Sequence, residues 1–396
     1  MRQESVISCV GMVNSNMKTT VLMDSFKGCL SSEEAGMAVK TGIEASGIDA
    51  EVSVFPFADG GEGTLDAFLK ADKKSKRVKV SVSDPLGRKI DAYYGVLSDN
   101  TVVIEIAQAA GLCLLSDDER NPMITTTKGV GQLLKHAIKR GYRKYIIALG
   151  GSATNDCGIG MLHELGLRLL NSKGKPVSAG ALGMSETFYV CDEKLMPELK
   201  DCKVIIACDV DNPLYGPKGA SYVFAPQKGA SPADVECMDL WMKNLAGIFK
   251  TRYPDAHPKA KGAGAAGGLG FAIQTFLNGK MLPGAEVLLS RTGIEAKIAS
   301  SDLVITGEGS IDAQTAMGKA PARIAALAKK YDKHVIALAG CVKEGSDACH
   351  DAGIDKIYRI TPDSMTLEEA MKPEVAIENI KRTACKAIGE ILTEGC

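Results

Sequence analysis

One pattern recurs along the chain: a continuous apolar run of four to six residues, a polar loop, then a segment with helical spacing. "TTVLMDSFKG" leads into "SSEEAGMAVKTGI", "EVSVFPFADGGEG" into "TLDAFLKA", and "KYIIALGGSATND" into "CGIGMLHELG". Near the C-terminus "SDLVITGEGS" precedes a helical stretch in the 320s, "HVIALAG" precedes "SDACHDAG", and "KIYRI" adds a last strand. Apolar runs alternating with helices predict a parallel sheet covered on both faces. In such sheets the loops after the strand C-termini carry the ligand. The polar loops named here all lie at that end and are expected to converge on one crevice.

The middle of the chain has a different texture. "KRVKVSVSDPLGRKIDAYYGVL" alternates around a Pro-Leu-Gly turn and predicts an antiparallel hairpin, with "TVVIEIAQAAGL" following. "KVIIACDVDNPLYG" and "ASYVFAPQKGA" continue mixed α/β structure. An inserted second domain explains the change. The expected division is a tail over residues 1–16, a parallel-sheet domain from 17–75, 120–165 and 295–396, and an inserted domain from 76–119 and 166–294. The tail has one early Arg and no long apolar centre, which makes it a poor signal peptide.

Composition narrows the class. The 396 residues are 45% hydrophobic and 24% charged, a globular balance with length for two or three domains. The net charge of −1 gives no reason to expect nucleic acid or an anionic membrane as partner. No apolar run reaches the ~18 residues of a membrane span. Twelve cysteines form no C-x-x-C pair, and several sit in apolar runs, such as Cys208 in "VIIACDV". They read as small buried hydrophobes of a reducing, cytoplasmic compartment. The five histidines show neither metal-ligand nor triad spacing.

The loops carry the candidate chemistry. "DSFKG" brings Asp24 and Lys27 to the end of a buried strand, and Ser31 or Ser32 suits the cap of the helix beyond. "ADGGEG" sets Asp59 and Glu62 beside Gly60, Gly61 and Gly63; glycines let backbone N–H groups approach an anion, and carboxylates bind Mg²⁺. "GGSATND" offers Ser152, Thr154 and Asn155 as donors ahead of a helix N-terminus, which suits an anionic ligand. Asp156 there is either a functional acid or that helix's N-cap. "CDVDNP" carries Asp209, Asp211 and Asn212, and "PQKGA" carries Gln227 and Lys228. "TGEGSIDAQTAMGKAP" supplies Glu308, Asp312, Gln314 and Lys319, a set suited to magnesium and phosphate without a Walker motif. "GAGAAG", Gly262 to Gly267, satisfies G-x-G-x-x-G, but "HPKAK" before it is no buried strand. A close-packed or flexible loop opening the helix "LGFAIQTFL" is the expectation there.

Taken in order, "DSFKGCLSS", "PFADGGEGT", "DPLGR", "GGSATND", "CDVDNPLYGPKGAS", "APQKGA", "GAGAAGG" and "TGEGSIDAQTAMGKAP" resemble the bacterial-type glycerate kinase family, the glycerate 2-kinases. The resemblance runs from about Met17 to the C-terminus. It implies phosphorylation of D-glycerate to 2-phosphoglycerate with ATP and Mg²⁺. It also implies a Rossmann-like α/β domain with a second mixed α/β domain inserted, and an active site in the interdomain cleft. Asp209 is the candidate base, with Asp24, Asp59 and Asp156 as alternatives. Lys27, Lys228 and Lys319 are candidate cations, and Glu308 and Asp312 candidate magnesium ligands, with Asp59 and Glu62 next. Ser152, Thr154 and Asn155, with Gly60, Gly61, Asn212, Gln227 and Gln314, are candidates to hold substrate or phosphate. Another small hydroxy acid, the 3-hydroxyl of glycerate, or a non-catalytic sensor of a phosphorylated metabolite are the alternative functions. The chain departs from the family pattern at Met23, Cys157 and Lys261, and none of these removes a charged or hydroxyl group.

Overall fold

The structure, a computed structural model, describes residues 17–58 and 60–394. The expected tail and Asp59 therefore lie outside the described residues. In chain order the strands are β1 (Met17–Met23), β2 (Ala50–Val54), β3 (Lys76–Ser83), β4 (Lys89–Val96), β5 (Thr101–Glu105), β6 (Lys144–Ala148) and β7 (Arg168–Leu170). They continue with β8 (Tyr189–Cys191), β9 (Lys203–Ala207), β10 (Lys280–Leu282), β11 (Leu303–Ile311), β12 (His334–Val342) and β13 (Lys356–Arg359). The chain divides into two compact units: residues through Phe57 with those from Gly293 onward, and Ala58–Thr292.

The first unit holds a fully parallel sheet in the order β13-β12-β11-β1-β2. Its central strands are buried on both faces, as their unbroken apolar runs require: Val335 to Ala339 are all inaccessible. Helix Ser32–Ala45 opens on the cap residue Ser31, whose side chain and that of Glu34 form a reciprocal capping box. Ala35, Ala38, Val39 and Ile43 of this helix share one core with Ile380, Ala384 and Ile388 of helix Pro373–Glu394. Each such valine or isoleucine contributes about 1.5–3 kcal/mol on burial, and the alanines let the two helices come close.

The second unit holds a mixed sheet, β10-β9-β6-β5-β4-β3. β3 and β4 form the expected antiparallel hairpin, closed by Gly87 in a left-handed turn with φ +84°. β5, β6, β9 and β10 run parallel. β7 and β8 make a separate two-stranded ribbon. The mixed α/β class matches the expectation, but the division of the chain differs from it. Residues 58–75 and 120–165 were expected in the first domain, and both lie in the second unit. The reason is β6, which fills the place between β5 and β9 with five residues in register on each side. Strand, loop and helix alternate in the parallel parts of both sheets, so texture alone does not tell them apart. Among the described residues no helix is long and apolar enough to cross a membrane, and every cysteine is free.

Gly42 fixes how closely the two long helices of the first unit approach. A Cβ there would lie 2.3 Å from the carbonyl oxygen of Lys381 and 2.9 Å from its Cα. Gly42→Val should therefore destabilise the protein by ~1–3 kcal/mol, the cost of overpacking, although it removes a helix-weakening glycine. An unchanged denaturant midpoint would show that the helices tolerate a wider separation.

Candidate active site

The candidate residues are distributed over the two units. In the second unit three loops meet beyond the C-terminal ends of parallel strands. Gly150 N donates to the carbonyl of Gly60 at 2.9 Å, and a Cβ on Gly150 would fall 2.3 Å from the Cα of Gly61. Gly60, at φ +98°, presses on the last residue of β9: its Cβ would lie 2.6 Å from the carbonyl oxygen of Ala207. What Gly60 and Gly61 of "ADGGEG" admit is thus protein backbone, whereas Gly63 has open space around it. The N–H of Leu65, in the first turn of helix Thr64–Ala71, is also taken, because buried Glu105 at the end of β5 accepts from it at 3.0 Å. The helix has no side-chain cap of its own, and Glu105 supplies one from a distant strand.

The loop after β6 buries nearly all its polar side chains. Asp156 is fully inaccessible; its Oδ2 accepts from the backbone and hydroxyl of Thr127, each at 2.9 Å, and its Oδ1 from Gly158 N at 3.0 Å. Gly160 N adds a contact at 3.3 Å. Burial raises the carboxyl pKa above its ordinary value, and these donors oppose the shift. Asp156 therefore ties the 126–128 turn to the start of helix Ile159–Glu164. Asn155 is also inaccessible; its Nδ2 donates to Ser221 Oγ at 3.0 Å. Thr154 Oγ1 and Asn155 Oδ1 are buried without a hydrogen-bond partner. Lys228, 2% exposed, donates to Ser152 Oγ and to the carbonyl of Thr154, both at 2.8 Å. Burial pulls its ammonium down to about 7, and Asp156 partly restores the charge. Gln227, one residue earlier, is exposed.

Asp209 lies exposed two residues beyond β9. Asn212 closes its own loop by donating to the Lys218 carbonyl at 2.8 Å, and Asp211 pairs with Lys261 at 3.2 Å. The glycine tract is the close-packed loop expected. Ala266, Gly267 and Gly268 all have positive φ, and a Cβ on Gly267 would fall 2.1 Å from the carbonyl oxygen of Thr154. Cys157, itself left-handed at φ +53°, donates its N–H to Gly267 at 2.9 Å.

In the first unit, Asp24 follows β1, is 8% exposed and accepts from Ser25 N at 2.7 Å. Its own N–H donates to Gly307 at 2.8 Å, which brings "DSFKG" beside "TGEGS". Lys27 is exposed on the turn between Phe26 and Leu30. Glu308 and Asp312 meet at one side chain the sequence reading passed over, Thr315, whose Oγ1 is 2.6 Å from Glu308 Oε1 and 3.5 Å from Asp312 Oδ1. Asp312 also caps the short helix Ala313–Ala316 through Gln314 N at 2.9 Å and Thr315 N at 3.2 Å. Lys319 Nζ is 3.5 Å from the same oxygen, and Gln314 projects as an exposed residue. Burial would raise the Asp312 carboxyl, but Lys319 and the two backbone donors hold it below the ordinary value. Among the described residues no group of three or more His, Cys, Asp or Glu is placed to hold a metal. The Glu308–Asp312 pair nevertheless fits magnesium, a hard cation that takes one or two carboxylates and keeps several waters.

Acids, amines and glycine-rich loops at the C-terminal ends of parallel strands define a phosphotransferase-type α/β protein. A family model described as the glycerate kinase family matches residues 19–392. A glycerate kinase of Bacillus subtilis (strain 168) is 41% identical over 369 residues, 93% of this chain and 96% of the relative. A glycerate 2-kinase of Escherichia coli (strain K12) is 39% identical over 369 residues, with the same coverage. The crystal structure of a protein described as a putative glycerate kinase 2 from Salmonella typhimurium LT2 superposes with a TM-score of 0.82 at 37% identity, covering 96% of this chain and 100% of that one. The chain belongs to the glycerate kinase family, and it is an enzyme, a phosphotransferase with an alcohol group as acceptor.

Glu105 gives the site region a pH signature. Burial, with Asp66 and Glu62 nearby, pushes its carboxyl from 4.5 up to about 7 against the N–H groups of Leu65 and Gly63. The folded protein then holds this proton more tightly than the unfolded chain does. The associated stability is complete below about 4.5 and is lost as pH rises through about 7. Glu105→Gln keeps an acceptor oxygen and cannot ionise. Its thermal midpoint should gain on that of the parent as the buffer moves from about pH 5 to about pH 8. A constant difference across that range would show that Glu105 does not titrate there.

Proposed function

We propose that this enzyme transfers the γ-phosphoryl group of ATP, as its magnesium complex, to the 2-hydroxyl of D-glycerate. Family membership supports the substrate class, because the relatives named above are glycerate kinases and a glycerate 2-kinase. The observation that carries the chemistry is the meeting of Glu308 and Asp312 at one buried hydroxyl, with Lys319 paired to Asp312. Glu308 and Asp312 would hold magnesium directly or through its waters, and the cation would offset charge on the β- and γ-phosphates. Lys319 would face a phosphate. Asp24 and Lys27 belong to the same unit, and Lys27 would contact a phosphate or the glycerate carboxylate.

Phosphoryl transfer asks the protein for alignment, charge neutralisation and a base near the attacking hydroxyl. Asp209 is the proposed base, since it is exposed at the end of a parallel strand. Ser152, Thr154 and Asn155 would receive substrate with their backbone and with the unpartnered Thr154 Oγ1 and Asn155 Oδ1. A buried polar atom without a partner costs about 1–3 kcal/mol, so a polar ligand that meets it is favoured. Lys228 and Asp156 would keep that loop in shape, with Gly60 and Gly61 packed beneath it and Asn212 and Gln227 at its flanks.

Incubation with D-glycerate, ATP and Mg²⁺ should give a ³¹P resonance for 2-phosphoglycerate; a 3-phosphoglycerate signal would move the reaction to the other hydroxyl. Asp209→Asn should lower kcat by ~10²-fold or more with a smaller change in KM. Near-normal kcat in that variant would transfer the base role to Asp24 or Asp59. Lys27→Ala should reduce turnover while leaving the unfolding midpoint intact, and full activity would mark Lys27 as an ordinary surface lysine.

A further inference from the structure

We propose that Thr315 is a positioning residue for the metal site, its buried hydroxyl fixing the Glu308 carboxylate in the orientation that receives a divalent cation. This rests on the reading of Glu308 and Asp312 as magnesium ligands. Thr315 is completely inaccessible. Its Oγ1 accepts from Asp312 N at 3.2 Å, which uses one lone pair and sets the direction left for its own hydrogen. That hydrogen points to the nearer acceptor, Glu308 Oε1 at 2.6 Å, rather than to Asp312 Oδ1 at 3.5 Å. A hydroxyl–carboxylate separation of this size is a strong, charge-assisted hydrogen bond.

The same residue orients the second acid. Thr315 N donates to Asp312 Oδ1, while Gln314 N and Lys319 Nζ lie on that same oxygen. Every hydrogen bond to the Asp312 carboxylate among the described residues thus falls on Oδ1, which leaves Oδ2 available to a ligand. Threonine suits the task because its branched Cβ restricts χ1. A Glu side chain has three rotatable bonds, and the hydrogen bond from Thr315 restricts them before a metal arrives.

The test uses Mn²⁺ as the probe, titrated into the full-length protein and followed by the electron paramagnetic resonance signal of the free ion. Thr315→Val keeps the shape and deletes the hydroxyl; Thr315→Ala deletes it with a smaller side chain should the valine variant fail to fold. Either should weaken Mn²⁺ binding by about 10-fold or more, the usual effect of removing an outer-sphere partner. The Mg²⁺ concentration for half-maximal turnover should rise in step, with the KM for glycerate unchanged. Thr315→Ser, which restores the hydroxyl, should recover parental binding to within about twofold. Glu308→Gln separates the two ideas. If it weakens Mn²⁺ binding while Thr315→Val and Thr315→Ala bind as the parent does, the positioning role is overturned and the metal site stands. If Glu308→Gln leaves Mn²⁺ binding unchanged, the loop is not a metal site and the proposal falls with it.

Discussion

A Cβ on Gly150 would lie 2.3 Å from Gly61 Cα, and one on Gly267 would lie 2.1 Å from the Thr154 carbonyl oxygen. The loop after β6 is therefore clamped by main chain on two sides, by "ADGGEG" and by the glycine tract of residues 262–268. Approaches this close need a glycine on at least one side. They leave the loop no room to move sideways, and its polar side chains turn inward, where Asp156 and Asn155 Nδ2 meet protein partners while Thr154 Oγ1 and Asn155 Oδ1 have none. The loop after β9 joins the arrangement through Gly60, which approaches both Ala207 O and Cys208 N. Main-chain packing, more than any single charged contact, makes three separate segments one surface.

Burying an aspartate and a lysine under that surface is costly, and an unpaired charge there would cost several kcal/mol. Asp156 offsets the cost with three backbone donors and two hydroxyls, those of Thr126 and Thr127, and Lys228 with a hydroxyl and a carbonyl. Their bonds run to Thr127 and Gly158 on one side and to Ser152 and Thr154 on the other. Each end of the loop is thus cross-linked to a different neighbouring segment. Such a loop is held in one shape, and the proposed ligand role would use that rigidity, since electrostatic stabilisation of a transferring phosphoryl group requires little reorganisation.

Much of this was legible in the residues. Unbroken apolar runs gave the parallel strands, the Pro-Leu-Gly turn gave the hairpin of β3 and β4, and failed context argued against a dinucleotide site at the G-x-G-x-x-G tract, leaving a flexible or a close-packed loop for the structure to decide. The location of β6 was not legible, because one strand-loop-helix segment fits either sheet and only register with β5 and β9 decides. The purpose of Gly60 and Gly61 was hidden for a related reason: a glycine that admits an anion and one that admits a carbonyl look alike in sequence. Glu105 and Thr315 were missed although signals existed. An acid ended the apolar run "TVVIE", and "DAQT" has the Asp-x-x-Thr spacing of a reciprocal cap. What sequence withholds is the distant partner: forty positions separate Glu105 from Leu65.

The environments of the acids explain why the proposed base is Asp209. A base must come within about 2.6–3.2 Å of the proton it removes. Asp156 has no accessible surface, and both its oxygens already receive protein donors, so a substrate hydroxyl cannot approach without dismantling the loop. Glu105 is 4% exposed and occupied by the helix start. Asp312 is committed through Oδ1 to a cap and to Lys319, which suits a fixed ligand better than a proton acceptor. Asp209 differs in standing exposed past the end of β9, within the group of loops that the glycine contacts unite. The same fold thereby gives chemically identical carboxylates different tasks, set by how far each is buried.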